Sequence, residues 1–187
     1  MSVKDFIVLF LFLLVGCGPS NLEYEKESQE DLSPITWEEC DAKIVDHPCN
    51  FKLKNQDNKI VELYDFYGKN ILLDFSTMWC GPCHIAAADV NLVKETFPEI
   101  EHITILIDNE SGDPPTIDDV NKWKNYYQIE ENILLGNRSL IDQTKDDAWP
   151  IQGWPTFFYV NDEMVLEHQH TGYSYNTVIQ NITMLLE

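Results

Sequence analysis

The chain has 187 residues, 44% of them apolar and 24% charged, which suits one ordinary domain with an appendage and argues against wholesale disorder. Its formal net charge of −20 excludes a protein that grips nucleic acid through phosphates, since that needs clustered positive charge. The same repulsion disfavours adsorption on an anionic lipid surface by charge alone and fits a solvated exterior.

Residues Phe6 to Val15 are an unbroken apolar run preceded by Lys4. As a helix the run is about 15 Å long, half the hydrocarbon thickness of a bilayer, so it reads as the core of a signal peptide rather than a membrane span. Leu14-Val15-Gly16-Cys17 resembles a bacterial lipobox. That resemblance implies a lipoprotein signal peptide over residues 1–16, a diacylglycerol on Cys17 and a bacterial cell-envelope protein facing the periplasm; cleavage elsewhere, with Cys17 discarded, is the alternative. Gly18, where an aspartate would retain the protein at the inner membrane, favours outer-membrane delivery. Pro19 to Pro34 carry five acidic residues, one Lys and few apolar anchors, so residues 17–36 read as an acidic flexible tether. The globular domain is then 37–187.

With Cys17 assigned to lipid, Cys40, Cys49, Cys80 and Cys83 remain in a disulfide-permissive compartment. Of the three pairings, the spacing of Cys80 and Cys83 selects that pair, leaving Cys40–Cys49 as a structural bridge that pins the start of the domain. A metal site on Cys40, His47 and Cys49 is the alternative, with no evident fourth ligand.

Ile71 to Ser76 is a short apolar run of the kind buried on both faces of a sheet. It leads into Trp79-Cys80-Gly81-Pro82-Cys83, after which Ala86, Val90, Val93 and Phe97 form a helical stripe. Pro82 is tolerated in a first helical turn. The motif therefore sits where a strand becomes a helix, and the amide end of that helix would hold Cys80 as a thiolate near neutral pH. Cys80 should be the exposed attacking sulfur and Cys83 the buried resolving one. Further on, Ile103, Ile105 and Ile107 alternate in a central strand ended by Asp108. Thr116 to Asp119 reads as a capping box opening a helix through Tyr127. Thr156–Val160 and Met164–His170 read as a hairpin, and Val178, Ile182 and Leu185 stripe a closing helix. Residues 109–115 and 137–152 are turn-rich and read as loops over the active-site edge, the second offering Trp149 to a partner surface.

Residues 37–187 resemble the thioredoxin superfamily. Trp79 to Cys83 matches its active-site motif, Asp74 matches its buried strand acid, and Gly153-Trp154-Pro155-Thr156-Phe157 matches its cis-proline loop, with Trp154 in place of a small or β-branched residue. Phe51 to Leu53, Ile60 to Leu63 and Asp65 to Lys69 resemble the N-terminal hairpin and turn of the membrane-tethered TlpA/ResA-like branch. The resemblance implies an α/β, thioredoxin-like fold with a central mixed β-sheet flanked by helices and an N-terminal β-hairpin extension. It implies a thiol-disulfide oxidoreductase with Cys80 as nucleophile, Cys83 as resolving thiol and Asp74 as acceptor of the Cys83 proton. Trp79, Gly81, Pro82, Trp154, Pro155 and Thr156 would form the motif and substrate-binding surface, with Trp79 either core filler or exposed rim.

Gly81 and Pro82 bring no charge that would stabilise the thiolate further, which favours a disulfide reductant, although His84 pushes the other way. The implied partners are disulfide-bearing exported proteins, among them apocytochrome c or metal-site proteins, and a membrane thiol-electron donor. No nucleotide, metal or other cofactor signature appears. Two rivals remain. Cys80-Gly81-Pro82-Cys83-His84 satisfies the c-type haem attachment pattern, with Met164 or Met184 as distal ligand, but Asp74, Trp79 and the Trp154-Pro155-Thr156 loop have no role in a cytochrome. A redox-silent thioredoxin-like scaffold is the other, against which the intact cysteine pair stands.

Overall fold

The computed structural model describes Trp37 and residues 39–187. The expected signal peptide over 1–16, the lipid-bearing Cys17 and the tether over 17–36 lie outside the described residues. A short antiparallel hairpin comes first, β1 (Lys52–Lys54) with β2 (Ile60–Glu62). The main sheet is mixed and five-stranded. Its central strand β3 (Ile71–Thr77) runs parallel to β4 (Glu101–Asp108), which is followed outward by parallel β5 (Asn132–Leu135). On its other side β3 meets antiparallel β6 (Thr156–Val160), then β7 (Leu166–Thr171).

Three helices cover one face of this sheet. α1 (Gly81–Thr96), α2 (Ile117–Tyr127) and α3 (Tyr175–Leu185) pack on Leu72, Leu106, Ile133, Phe157 and Tyr159. The opposite face presents Ile71, Leu73, Phe75, Ile103, Ile105 and Ile107, and it is covered by the segment before β1, the β1–β2 hairpin and Trp149. β3 and β4 are therefore buried on both sides; β3 reads as a short apolar run, while β4 alternates because His102 and Thr104 are buried on its helix-facing side. The expected boundaries of α2 hold because its cap is local chemistry: the Asp119 amide donates to Thr116 Oγ1 at 3.2 Å while the Thr116 amide donates to Asp119 Oδ2 at 2.8 Å.

Three sequence expectations are corrected. β7 begins at Leu166 rather than Met164, because Met164 turns the chain with φ +59° and its amide closes onto Asn161 O at 2.9 Å. Trp149 forms no partner surface: only 1% exposed, its ring lies 5.1 Å from Phe75 and 4.8 Å from Phe158 and plugs the face that, among the described residues, no α-helix covers. The strand β5 was unforeseen, since four residues with three aliphatics carry no readable period.

The segment before β1 is tied down in two ways. The Val45 amide donates to Leu166 O at 2.7 Å and the Leu166 amide to Asp46 O at 2.9 Å, while Cys40 and Cys49 are joined in a disulfide. The metal alternative finds His47 engaged elsewhere, its Nδ1 2.9 Å from Met164 O and its ring stacked on Trp37 at 3.6 Å. A bridge across a nine-residue separation lowers unfolded-chain entropy by an amount worth about 2–3 kcal/mol. The double variant Cys40→Ser/Cys49→Ser should lose about that much in urea denaturation and retain the disulfide chemistry of Cys80 and Cys83.

Candidate active site at the start of the first helix

β3 ends beside β4 in a register that slips between Ser76 and Thr77, so that Thr77 pairs with Asp108. Such an irregularity redirects a strand end. The Met78 amide then donates to Asp108 O at 3.0 Å, and the chain turns through Trp79 into α1. Cys80 is the N-cap of that helix, with extended backbone angles, and Pro82 occupies its first turn. The Cys83 amide donates to Cys80 Sγ at 3.2 Å. The same amide also reaches Cys80 O at 3.1 Å, and as part of the first helical turn it marks the place where negative charge on sulfur is favoured.

Cys80 and Cys83 are joined in a disulfide. Cys80 is 5% exposed and Cys83 not at all. Cys80 was expected to stand open to solvent; only a sliver of it does so, because Trp79 and Trp154 crowd the rim with their rings edge to face at 6.4 Å. The order of access between the two sulfurs is nevertheless the expected one. Trp79 is an exposed rim residue (47%), and its indole Nε1 donates to Asp108 Oδ2 at 3.1 Å. Trp154 precedes Pro155 through a cis peptide bond, and Thr156 locks the loop by donating to Gly153 O at 2.8 Å. Gly81 and Pro82 are exposed at the helix tip.

Asp74 is buried (1%). Strand alternation puts it with Leu72 and Ser76 on the face that α1 covers, beneath the disulfide's helix. Burial pushes its carboxyl from 3.8 up to about 7, partly offset by Ser76 Oγ, which donates to Oδ1 at 2.6 Å. His84 turns away from the sulfurs. Its Nε2 lies 2.8 Å from Met78 O, a carbonyl that can only accept, so Nε2 carries hydrogen; Nδ1 faces the Tyr127 hydroxyl. Beyond it, between α1 and α2, a pocket of about 270 Å³ opens, walled by Met78, Trp123, Tyr126 and Tyr127.

Two participants were not read from sequence. Asp108 looked like a strand end, although its place at the tip of the strand beside the motif was a usable signal. Arg138, which forks onto the Asp108 carboxylate, gave none, because it is 30 residues away in a turn-rich loop.

Residues 44–169 match the AhpC/TSA family. The chain belongs to that family. Thioredoxin H4-1 of Oryza sativa subsp. japonica is 36% identical over 141 residues, covering 75% of this chain and 79% of its own. Among solved structures, a thiol:disulfide interchange protein of the thioredoxin family from Chlorobium tepidum superposes with a TM-score of 0.62 at 20% identity, over 79% of this chain and 99% of that one. An exposed lipoprotein thioredoxin from Streptococcus pneumoniae strain TIGR4 gives 0.57 at 22% identity, over 73% and 100%. At these identities the two structures speak for the fold, which is thioredoxin-like. This member of the AhpC/TSA family is a thioredoxin-like thiol-disulfide oxidoreductase.

The raised Asp74 pKa has a stability consequence. The unfolded chain ionises Asp74 from about pH 4, the folded chain only from about pH 7, so the folded state holds an extra proton between them. Stability attached to this group is full below pH 4, declines as pH rises through the window and is lost above pH 7. Asp74→Asn removes the group, so oxidised variant and wild type should differ little from this source at pH 4. At pH 8 the variant should be more stable by a few kcal/mol in urea denaturation. A difference independent of pH would mean that Asp74 keeps an ordinary carboxyl.

Proposed function

We propose that this oxidoreductase reduces disulfides in exported proteins, with Cys80 attacking and Cys83 resolving. The observation that carries the reading is the Cys83 amide aimed at Cys80 Sγ over 3.2 Å, combined with complete burial of Cys83. In the reduced enzyme the Cys80 thiolate attacks one sulfur of a client disulfide. The client S–S bond breaks, a mixed disulfide forms and the other client sulfur leaves as thiolate. Cys83 passes its proton to ionised Asp74 and attacks Cys80 Sγ; the second client thiolate leaves, and both client thiolates take protons. Two electrons have moved to the client and Cys80–Cys83 is oxidised. A dithiol donor at the membrane returns it to the dithiol. A carboxyl poised near 7 can accept and release that proton at neutral pH, which supports Asp74 in the role.

Trp79 and Trp154 flank the Cys80 rim with Pro155 and Thr156 buried behind them, an extended client segment would lie against that rim, and apocytochrome c and metal-site proteins are clients of suitable kind. On this reading residues 1–16 are removed, Cys17 carries lipid and residues 17–36 tether the domain in the bacterial envelope on the periplasmic side, at the outer membrane. The lipoprotein thioredoxin of Streptococcus pneumoniae, which shares the fold, supports the anchor. The haem alternative draws no support: both ring nitrogens of His84 are engaged, and Met164 is buried under the opposite face of the sheet. The scaffold alternative is disfavoured by the intact cysteine pair.

The wild-type protein should catalyse dithiothreitol-driven reduction of insulin, Cys80→Ser should fall to background, and Cys83→Ala should accumulate mixed disulfides. The Cys80–Cys83 potential should lie below that of protein disulfide isomerase, about −180 mV. A higher value overturns the reducing direction while leaving the site intact. Cys17→Ala should abolish lipid labelling and recovery with membranes.

A further inference from the structure

Asp108 closes β4 as a fully buried carboxylate, and its backbone carbonyl holds the Met78 amide two residues before Cys80. An unbalanced anion at the turn that leads into Cys80 would oppose a second anion on its sulfur, since like charges disfavour each other's ionisation. The structure balances it. Arg138 Nε donates to Oδ1 at 2.9 Å and Arg138 Nη2 donates to Oδ2, a two-pronged pairing that a guanidinium makes and an ammonium cannot. Trp79 Nε1 shares Oδ2. The Arg138 side chain stays 58% exposed, so the cation keeps water while the carboxylate has none.

The backbone leading to Arg138 is shaped for this delivery. The Gly136 amide donates to Leu106 O at 2.8 Å, and a Cβ on Gly136 would meet that same oxygen at 2.8 Å and Ile105 Cγ2 at 2.7 Å. Only glycine lets the chain run this close to β4. Asn137 then caps a short turn by accepting the Ser139 amide at 2.9 Å, which sets Arg138 at the tip of β4.

We propose that Arg138 is a positioning residue for the Cys80 chemistry: it cancels the Asp108 charge at the turn that carries the forming thiolate and, through Asp108, holds the Trp79 indole at the rim of the disulfide. This rests on Cys80 being the attacking sulfur. The other titratable or charged groups around the dithiol are Asp74 on β3, under α1; His84 on α1; and Tyr127 and Lys122 on α2, with Lys122 paired to Glu110 at 2.7 Å. The Arg138 substitutions leave all of these unchanged.

The test is the pH profile of iodoacetamide alkylation of Cys80 in the reduced full-length protein. Arg138→Gln should move the midpoint up by about one pH unit, roughly tenfold slower alkylation below the midpoint. Arg138→Gln/Asp108→Asn, which removes the carboxylate as well, should return it toward wild type. Asp108→Asn alone leaves the cation unbalanced and should move the midpoint down, so the proposal stays testable if Arg138→Gln does not fold. A purely structural Arg138 would alter stability and leave these midpoints in place. An acid wild-type midpoint that none of the variants moves overturns the role of Arg138. A wild-type midpoint at an ordinary cysteine value, about 8.5, overturns the reading of Cys80 beneath it, and the proposal falls with it.

Discussion

The hydrogen bond from the Cys83 amide to the Cys80 sulfur exists only while α1 begins at Gly81, and that starting point is dictated from several directions at once. β3 must end where the Met78 amide reaches Asp108 O, which leaves Trp79 to turn the chain. Pro82 fixes its own backbone angle for a first helical turn and has no amide to waste there. Ala86, Ala87, Val90 and Val93 bury the next two turns and so prevent the helix from sliding or fraying at its working end. Such an amide end contributes about 0.3–1 kcal/mol to a charge near the surface and up to about 2 when the geometry is partly buried. Since about 1.4 kcal/mol is a tenfold change in ionisation, the arrangement favours a thiolate by about two- to thirtyfold.

The same junction sets the two sulfurs apart. Cys80 caps the helix and keeps a sliver of surface, whereas Cys83, one turn on, faces the sheet and has none. Facing the sheet means facing the side of β3 that carries Leu72, Asp74 and Ser76, an otherwise apolar layer in which the Asp74 carboxyl is pushed up to about 7. One helix thus presents its first cysteine to an environment that favours an anion and its second to one that favours a proton. The difference follows from two periods, 3.6 along α1 and two along β3.

What the sequence revealed of this was the local part. Trp79 to Cys83, the apolar run before it and the Thr116–Asp119 box are contiguous, and each satisfies its chemistry with near neighbours, so their elements were readable to within a residue or two. The Trp154–Pro155 turn was readable through resemblance. Two of the misses share one feature, dependence on residues far along the chain, whereas the Met164 turn is a local left-handed one. β5 is a strand only because β4 lies beside it, and Trp149 is core because, among the described residues, no α-helix covers that face of the sheet. An aromatic in a polar, turn-rich stretch looks like surface until the vacancy it fills is known. The pairing of Arg138 with Asp108 is of the same kind, since nothing in either residue's neighbourhood announces the other.

The loop after β5 consequently does two jobs that are mechanically one. Its far end drives Trp149 against Phe75 and Phe158, and Phe75 is the β3 residue paired with Thr156, which follows the cis-proline. Its near end, held against β4 by Gly136, delivers Arg138 to the tip of that strand. Between the two, the Trp149 amide donates back to Leu140 O at 2.8 Å and shortens the loop onto itself. The segment that seals the face opposite the three α-helices therefore also braces both sides of the disulfide rim, Trp79 through Asp108 and Trp154 through Thr156. A substitution that loosened Trp149 would be felt at both rims of the disulfide.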